Sequence, residues 1–260
     1  MKAGSIRARI REQMTEEIKT VARQHLAADG ANLSLRAVAR DLGMVSSAIY
    51  RYFASRDELL TALILDAYNA LGTAVETAEA TIPREDLVDR LLAVSHAVRD
   101  WAVAQPHQYA LIYGSPVPGY KAPQDTVPAA TRAVAVLGQI LQDAAEAGAF
   151  TGPEDLLPEQ IAAEVTRIGE VICPDVPPTA LSRGLAAWIQ LFGLVSFEIF
   201  GQLNNTIEQT RAFFDYQMRA QAAYVGISTA TERSTEQRPN RGQAETEQRP
   251  SSGRAAGRVG

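Results

Sequence analysis

The chain of 260 residues holds one cysteine, Cys173, and three histidines, His25, His96 and His107. A single cysteine excludes an internal disulfide framework and fits a reducing cytoplasm. Cys173 reads either as an inert small hydrophobe or as a thiol sensor. The histidines show no metal-ligand spacing, so neither a metal nor another cofactor is expected. Phosphate-binding glycine loop, H-E-x-x-H and nucleophile elbow are all missing, and the carboxylates are scattered, so no enzyme is expected. No apolar run reaches the ~20 residues of a membrane span, and the basic, polar start is unlike a signal peptide. The most apolar stretch, Leu185–Phe200, is about 16 residues long and reads as too short to span a bilayer.

The chain is 46% hydrophobic and 21% charged, enough apolar residues for a real core. Its net charge of −5 is unevenly divided. Residues 1–60 carry ten basic and seven acidic side chains, whereas residues 61–227 carry nine and nineteen. A basic head on an acidic body can hold phosphates at one end and repel them at the other. Chance scatter of surface charge would give the same totals, so charge permits nucleic-acid binding without proving it.

Apolar residues recur at helical spacing along most of the chain, and no segment alternates as a strand. Met14, Ile18, Val21, Ala22 and Leu26 mark a first helix that Gly30 closes. Two short helices follow, then helices over about 56–78, 84–105, 125–149, 157–172, 179–202 and 206–224. Pro106 interrupts one of them, and Gly114–Gly119 reads as a loop. An all-α chain of nine or so helices is predicted, with a head over 1–56 and a helical body over 57–227. Residues 228–260 lose the apolar positions and read as a disordered tail with six arginines.

The most specific stretch is Leu33–Phe53, LSLRAVARDLGMVSSAIYRYF. Ser34 caps a short helix whose stripe is Leu35, Val38, Ala39 and Leu42, and Gly43 supplies the left-handed turn. A second helix starting at Val45 or Ser46 is predicted to turn Val45, Ile49 and Phe53 inward. At ~100° per residue, Ser47 and Arg51 then face outward, flanked by Ala48 and Tyr50. Two helices around a glycine turn, the second showing small polar, cationic and tyrosine side chains, suit a major-groove reader. Ser55 and Glu58 form a capping box for the next helix, and Arg56 stands where it could grip a phosphate.

The run G-x-x-S-x-A-I-Y-R-Y-F followed by S-R-D-E-L-L resembles the DNA-binding domain of TetR/AcrR-family repressors, over about residues 7–75. That resemblance implies a homodimer on double-stranded operator DNA. It implies base contacts from Arg36 and from the Ser46–Tyr50 stretch, of which Ser46, Ser47, Ala48 and Tyr50 are the candidates. Arg51 joins them as an outward-facing cation. Phosphate contacts are implied for Ser34, Tyr50, Tyr52 and Arg56. Because Ser46, Ser47 and Ala48 are short, DNA shape is expected to carry part of the specificity. Lys2, Arg7, Arg9 and Arg11 read either as an arm reaching the DNA or as a solvated terminus.

In the second half, Trp101, His107, Tyr109, Tyr113 and Tyr120 gather with several prolines around a chain reversal. They are candidates to line a small-molecule inducer pocket, or equally to be core. His107 reads as a hydrogen-bond donor to a ligand or as a structural histidine. The stretch is similar to the C-terminal domain, named WHG after its residues, of a subset of TetR-type regulators. The apolar perimeter of Leu185–Phe200 implies burial on several sides. With the next helix it is expected to form the dimer interface, over about Thr179–Tyr224. A ligand-independent regulator or activator, and an adaptor that never touches DNA, remain alternatives.

Overall fold

The computed structural model describes residues 3–29, 33–151 and 156–227. Over these the chain is helical: α1 (Ala3–Asp29), α2 (Leu35–Asp41), α3 (Ser46–Ile49), α4 (Arg56–Glu79), α5 (Leu87–Ala104), α6 (Pro106–Tyr113), α7 (Val127–Glu146), α8 (Glu159–Ile172), α9 (Pro178–Ile199) and α10 (Thr210–Val225). One 3-10 turn, Gln124–Thr126, leads into α7. Among the described residues there is no strand, only an isolated bridge between Phe150 and Ile227. The expected helical close at Gly30 and the expected tail over 228–260 lie outside the described residues.

The helix α6 is not among those that the periodicity predicts. Pro106 does end α5, but it also sits in the first turn of a new helix. There its missing N–H costs nothing and its fixed φ is already helical. Arg7, Arg9 and Arg11 are exposed residues of α1, since helix begins as early as Ala3, and Lys2 lies outside the described residues.

Two cores form. In the head, Ile18 and Ala22 of α1 meet Val38 and Ala39 of α2, Ile49 and Phe53, and Leu59, Leu60 and Leu63 of α4. The body core is larger and is built from α4 through α10. The helix α4 serves both, with Leu59–Leu63 in the head and Leu71 and Val75 in the body. It is therefore a shared rod, and a cut at residue 56 would divide the head's core.

Buried charge locks the body. Arg90 is 1% exposed and bonds Glu79 of α4, Asp143 of α7 at 2.7 Å and the Arg84 carbonyl at 3.0 Å. Arg99 of α5 pairs with Glu198 of α9, and Asp100 takes Arg211 of α10 at 2.6 Å. The buried pairs specify how the helices seat, since leaving either partner alone would strand a desolvated charge.

The helix α9 runs for 22 residues, so the length argument against a membrane span does not hold. Its composition also permits a span. However, Leu181, Ala187, Leu191 and Val195 pack into the body core, and Glu198 is ion-paired to α5. Such partners make it a core helix of this body.

Candidate nucleic-acid interface and ligand cleft

The reading head is assembled by local capping. Ser34 accepts a long, 3.5 Å hydrogen bond from the Ala37 N–H and opens α2. Gly43 follows with φ +67°, where a side chain would be strained although the space around it is open. Ser55 accepts from the Glu58 N–H at 3.1 Å, and the Glu58 carboxylate accepts in return from Ala54 at 2.6 Å. The box therefore closes one residue earlier than the usual reciprocal pair, and it fixes α4 against the end of the recognition turn.

Arg36, Ser46, Ser47, Tyr50 and Arg51 are exposed, while Ala48 and Tyr52 are half-buried. Ser46, Ser47 and Ala48 occupy the single turn of α3, and Tyr50, Arg51 and Tyr52 follow it in a turn. Ser34 is exposed at its cap. Arg56 is half-buried and donates to the Leu33 carbonyl at 3.2 Å, so part of its hydrogen-bonding capacity holds the loop before α2.

Val45 departs from expectation. Its spacing assigns it to the inner side with Ile49 and Phe53, yet it is 71% exposed while those two are buried. The four-residue rule fails because it is extended past the helix end. Val45 is the extended N-cap residue of α3, and helical phase does not apply there. An exposed valine thus stands beside Ser46 and Ser47 on the same rim.

Residues that the motif alone does not flag brace this rim. Arg11 of α1 donates to the Arg51 carbonyl at 3.0 Å and lies over the Tyr52 ring, 5.6 Å from its centre. His25 of α1 meets Asp41 of α2 at 2.7 Å, and that contact holds the Asp41 carboxyl below its usual range. Lys19 of α1 pairs with Asp66 of α4 at 2.8 Å. The helical register of α1, once it is known to begin near Ala3, turns these groups toward α2–α4.

The five proposed pocket residues do not line one cavity. Tyr113 and His107 border a cleft of about 640 Å³ between α1, α6, the loop after α6 and Phe200 at the end of α9. Tyr109 lies buried behind it, and its hydroxyl donates to or accepts from Ser196 at 2.7 Å. Trp101 packs on the body core. Tyr120 borders a different cleft, with its hydroxyl 2.9 Å from Thr61 of α4. The chain reversal spreads these aromatics because the unexpected helix α6 separates Trp101 from the rest.

The aromatics instead form a connected row. Trp188 and Phe192 of α9 contact each other at 5.0 Å between ring centres, Phe192 meets Tyr113 at 4.2 Å, and Tyr113 meets Tyr68 of α4 edge-on at 6.2 Å. Burial raises the phenol pKa of Tyr113 and Tyr68, so both remain neutral hydrogen-bonding groups at any ordinary pH. The loop after α6 continues the connection, because Val117 inserts into the head's core and Tyr120 packs against it. Body and head are thereby joined through α4, through Leu111 of α6 and through this loop.

Residues 18–63 match the family model of bacterial regulatory proteins, tetR family, and residues 91–221 match the tetracyclin repressor-like C-terminal domain. This chain belongs to the tetR family. Against the HTH-type transcriptional regulator Rv1816 of Mycobacterium tuberculosis (strain H37Rv), this tetR-family chain is 40% identical over 222 residues. The match covers 83% of this chain and 93% of the relative. Among solved structures it is similar to the regulatory protein SCO4313, with a TM-score of 0.69 and 34% identity over 83% of this chain and 98% of that one. PfmR of Thermus thermophilus, a TetR family regulator, shares the fold with a TM-score of 0.53 at 18% identity, over 80% and 96% of the two chains. The tetR-family chain is therefore a DNA-binding transcriptional regulator, with an N-terminal helix-turn-helix and an all-α body. Regulators of this family bind operator DNA and act as dimers.

Proposed function

We propose that this regulator is a cytoplasmic repressor, held on a near-palindromic operator as a homodimer and released by a small, largely apolar ligand. The observation that carries the reading is the Val117 insertion. The loop that anchors in the head's core is the direct continuation of α6, whose Tyr113 borders the cleft of about 640 Å³. A ligand that displaces α6 therefore displaces a residue of the head's own core. It needs only to prefer the non-binding state, and a hundred-fold preference is about 2.7 kcal/mol of coupling.

In this reading Arg36, Ser46, Ser47, Ala48, Tyr50 and Arg51 face the groove, and Ser34, Tyr50, Tyr52 and Arg56 hold phosphates. Their common rim, exposed or half-exposed, supports that assignment. The dimer would form through α9 and α10. Ala186, Ile189, Gly193 and Phe197 make an exposed stripe at three- and four-residue steps on α9, and Tyr216 and Tyr224 are exposed on α10. A two-fold axis through such a face would place two heads on half-sites about 34–36 Å apart or a multiple of that.

The test is a selection of operator fragments by the purified protein, followed by measurement of affinity, footprint and mass. The reading expects a two-fold symmetric footprint and a dimer at micromolar concentration. A monomeric protein with an asymmetric footprint contradicts it.

A further inference from the structure

The aromatic body core is not where this protein has room. Among the described residues, the gap between α5, α7, α9 and α10 amounts to about 10 Å³, too little for a ligand of any size. The cleft of about 640 Å³ lies elsewhere, at the seam of head and body, and a smaller cavity of about 130 Å³ adjoins it across Leu26, His107 and Leu111. The larger volume falls in the range that encloses small organic molecules, as do two more open clefts of about 310 and 450 Å³, but each of those is lined by several charged side chains. We propose that this seam, walled by Leu26 and Ala27 of α1 on one side and by His107, Ala110 and Tyr113 of α6 on the other, is the ligand site, and that it takes an uncharged, mainly apolar molecule bearing a hydrogen-bonding group. The proposal rests on the ligand-released reading above and gives that reading a place and a ligand class.

Three observations fix the class. The walls are mostly aliphatic or aromatic, so burial of apolar surface is the main driving force. No Lys, Arg, Asp or Glu is among the described residues that line the larger cleft. Arg23 borders only the smaller cavity and faces Asp66 and Glu16, at 3.5 and 3.7 Å. A charged ligand would give up part of its hydration here without a Lys, Arg, Asp or Glu of the lining to pair with. The polar handle comes from a contrast between two neighbouring tyrosines. The Tyr109 hydroxyl is bonded to Ser196 and the Phe192 carbonyl, whereas the Tyr113 hydroxyl makes no hydrogen bond among the described residues. Tyr113 therefore keeps one donor and its acceptor capacity for a guest.

The position also explains how a guest would act. Its lining draws on both cores, since Leu26, Leu111 and Val117 belong to or pack on the head's core while Tyr113 packs on the body's. A molecule between them gains or loses contacts whenever the head shifts against the body. That differential contact is what coupling requires.

The experiment uses two probes on one scaffold, uncharged N-phenyl-1-naphthylamine and its sulfonated analogue 8-anilino-1-naphthalenesulfonate, titrated by fluorescence into the full chain. Wild type should bind the uncharged probe saturably at one site per chain, and the sulfonate at least tenfold more weakly. Ala110→Trp, which fills the cleft, should weaken the uncharged probe at least tenfold. Ser115→Trp, on the exposed loop bordering the same cleft, is the second variant should Ala110→Trp fail to fold. Equal affinity for the two probes overturns the ligand class, and wild-type binding in a folded cleft-filling variant overturns the site. If the uncharged probe fills the cleft and operator affinity stays the same, the site stands and the ligand-released reading falls.

Discussion

Head and body are stabilised by different means, and the difference shows which parts a regulator can move. The head has a small apolar core, one residue of which, Val117, comes from beyond α6, and its helices are tied by the more exposed contacts His25–Asp41 and Arg11–Arg51 and by Lys19–Asp66, in which only the lysine is buried. The body has a larger core crossed by buried ion pairs at Arg90 and Arg99. A contact with an exposed member contributes little, whereas a pair buried on both sides, such as Arg90–Asp143 at 1% and 8% side-chain exposure, cannot be opened without uncovering a desolvated charge. The body is thus a rigid frame, and the head is a lightly held unit whose seating depends on the frame.

The largest effect should come from attacking the frame. Arg90→Ala removes the partner that Asp143 and Glu79 share and leaves Asp143 to the exposed Arg84 and to Gln139, and denaturant unfolding should show a loss of about 3 kcal/mol. A loss below about 1 kcal/mol would mean that the body is not locked by this pair. Val117→Ala should cost about 1–3 kcal/mol by the apolar volume removed. Its signature is regional: amide exchange should accelerate in α1–α3 and not in α5 or α7. Uniform acceleration would refute the idea that the loop belongs to the head's core.

On the DNA side, Arg36→Ala and Tyr50→Ala should each weaken operator binding by roughly 1–3 kcal/mol at fixed salt, with melting unchanged. Val45→Ala should cost about 1 kcal/mol or less, as expected for a methyl-rich side chain against thymine methyl groups. No change in any of the three would remove this rim from the DNA contact.

The smallest effect distinguishes the two histidine latches, His25–Asp41 in the head and His96–Asp215 between α5 and α10. Asp41 is held below its usual range first by the His25 hydrogen bond, and Asp215 first by Arg219 and then by His96. A carboxyl with a depressed folded pKa contributes stability above its unfolded pKa of about 4 and loses it as pH falls through the folded value. Asp41→Asn should therefore flatten the acid-side decline of head stability, read by melting between about pH 5 and pH 3. An unchanged decline would show that the latch contributes nothing.

How much of this is legible in the sequence depends on how local each cause is. The head can be read because Ser34, Gly43, Ser55 and Glu58 act through backbone contacts within a few residues. Val45 is misplaced by periodicity because the rule is carried across a helix end. The cleft is only half legible. Tyr113 and His107 are candidates by composition, but Leu26 and Ala27 lie far away in sequence and reach the site only through packing. The proposed pairing through α9 and α10 rests on an exposed apolar stripe whose spacing the sequence does carry.

The central claim is that the cleft and the operator compete for one arrangement of head and body. The direct measurement is operator affinity at fixed salt, titrated with N-phenyl-1-naphthylamine, alongside probe affinity titrated with operator. The account predicts that each weakens the other by the same factor, about tenfold or more, and that Ala110→Trp abolishes the response to probe. Saturation of the cleft with no change in operator affinity would contradict it.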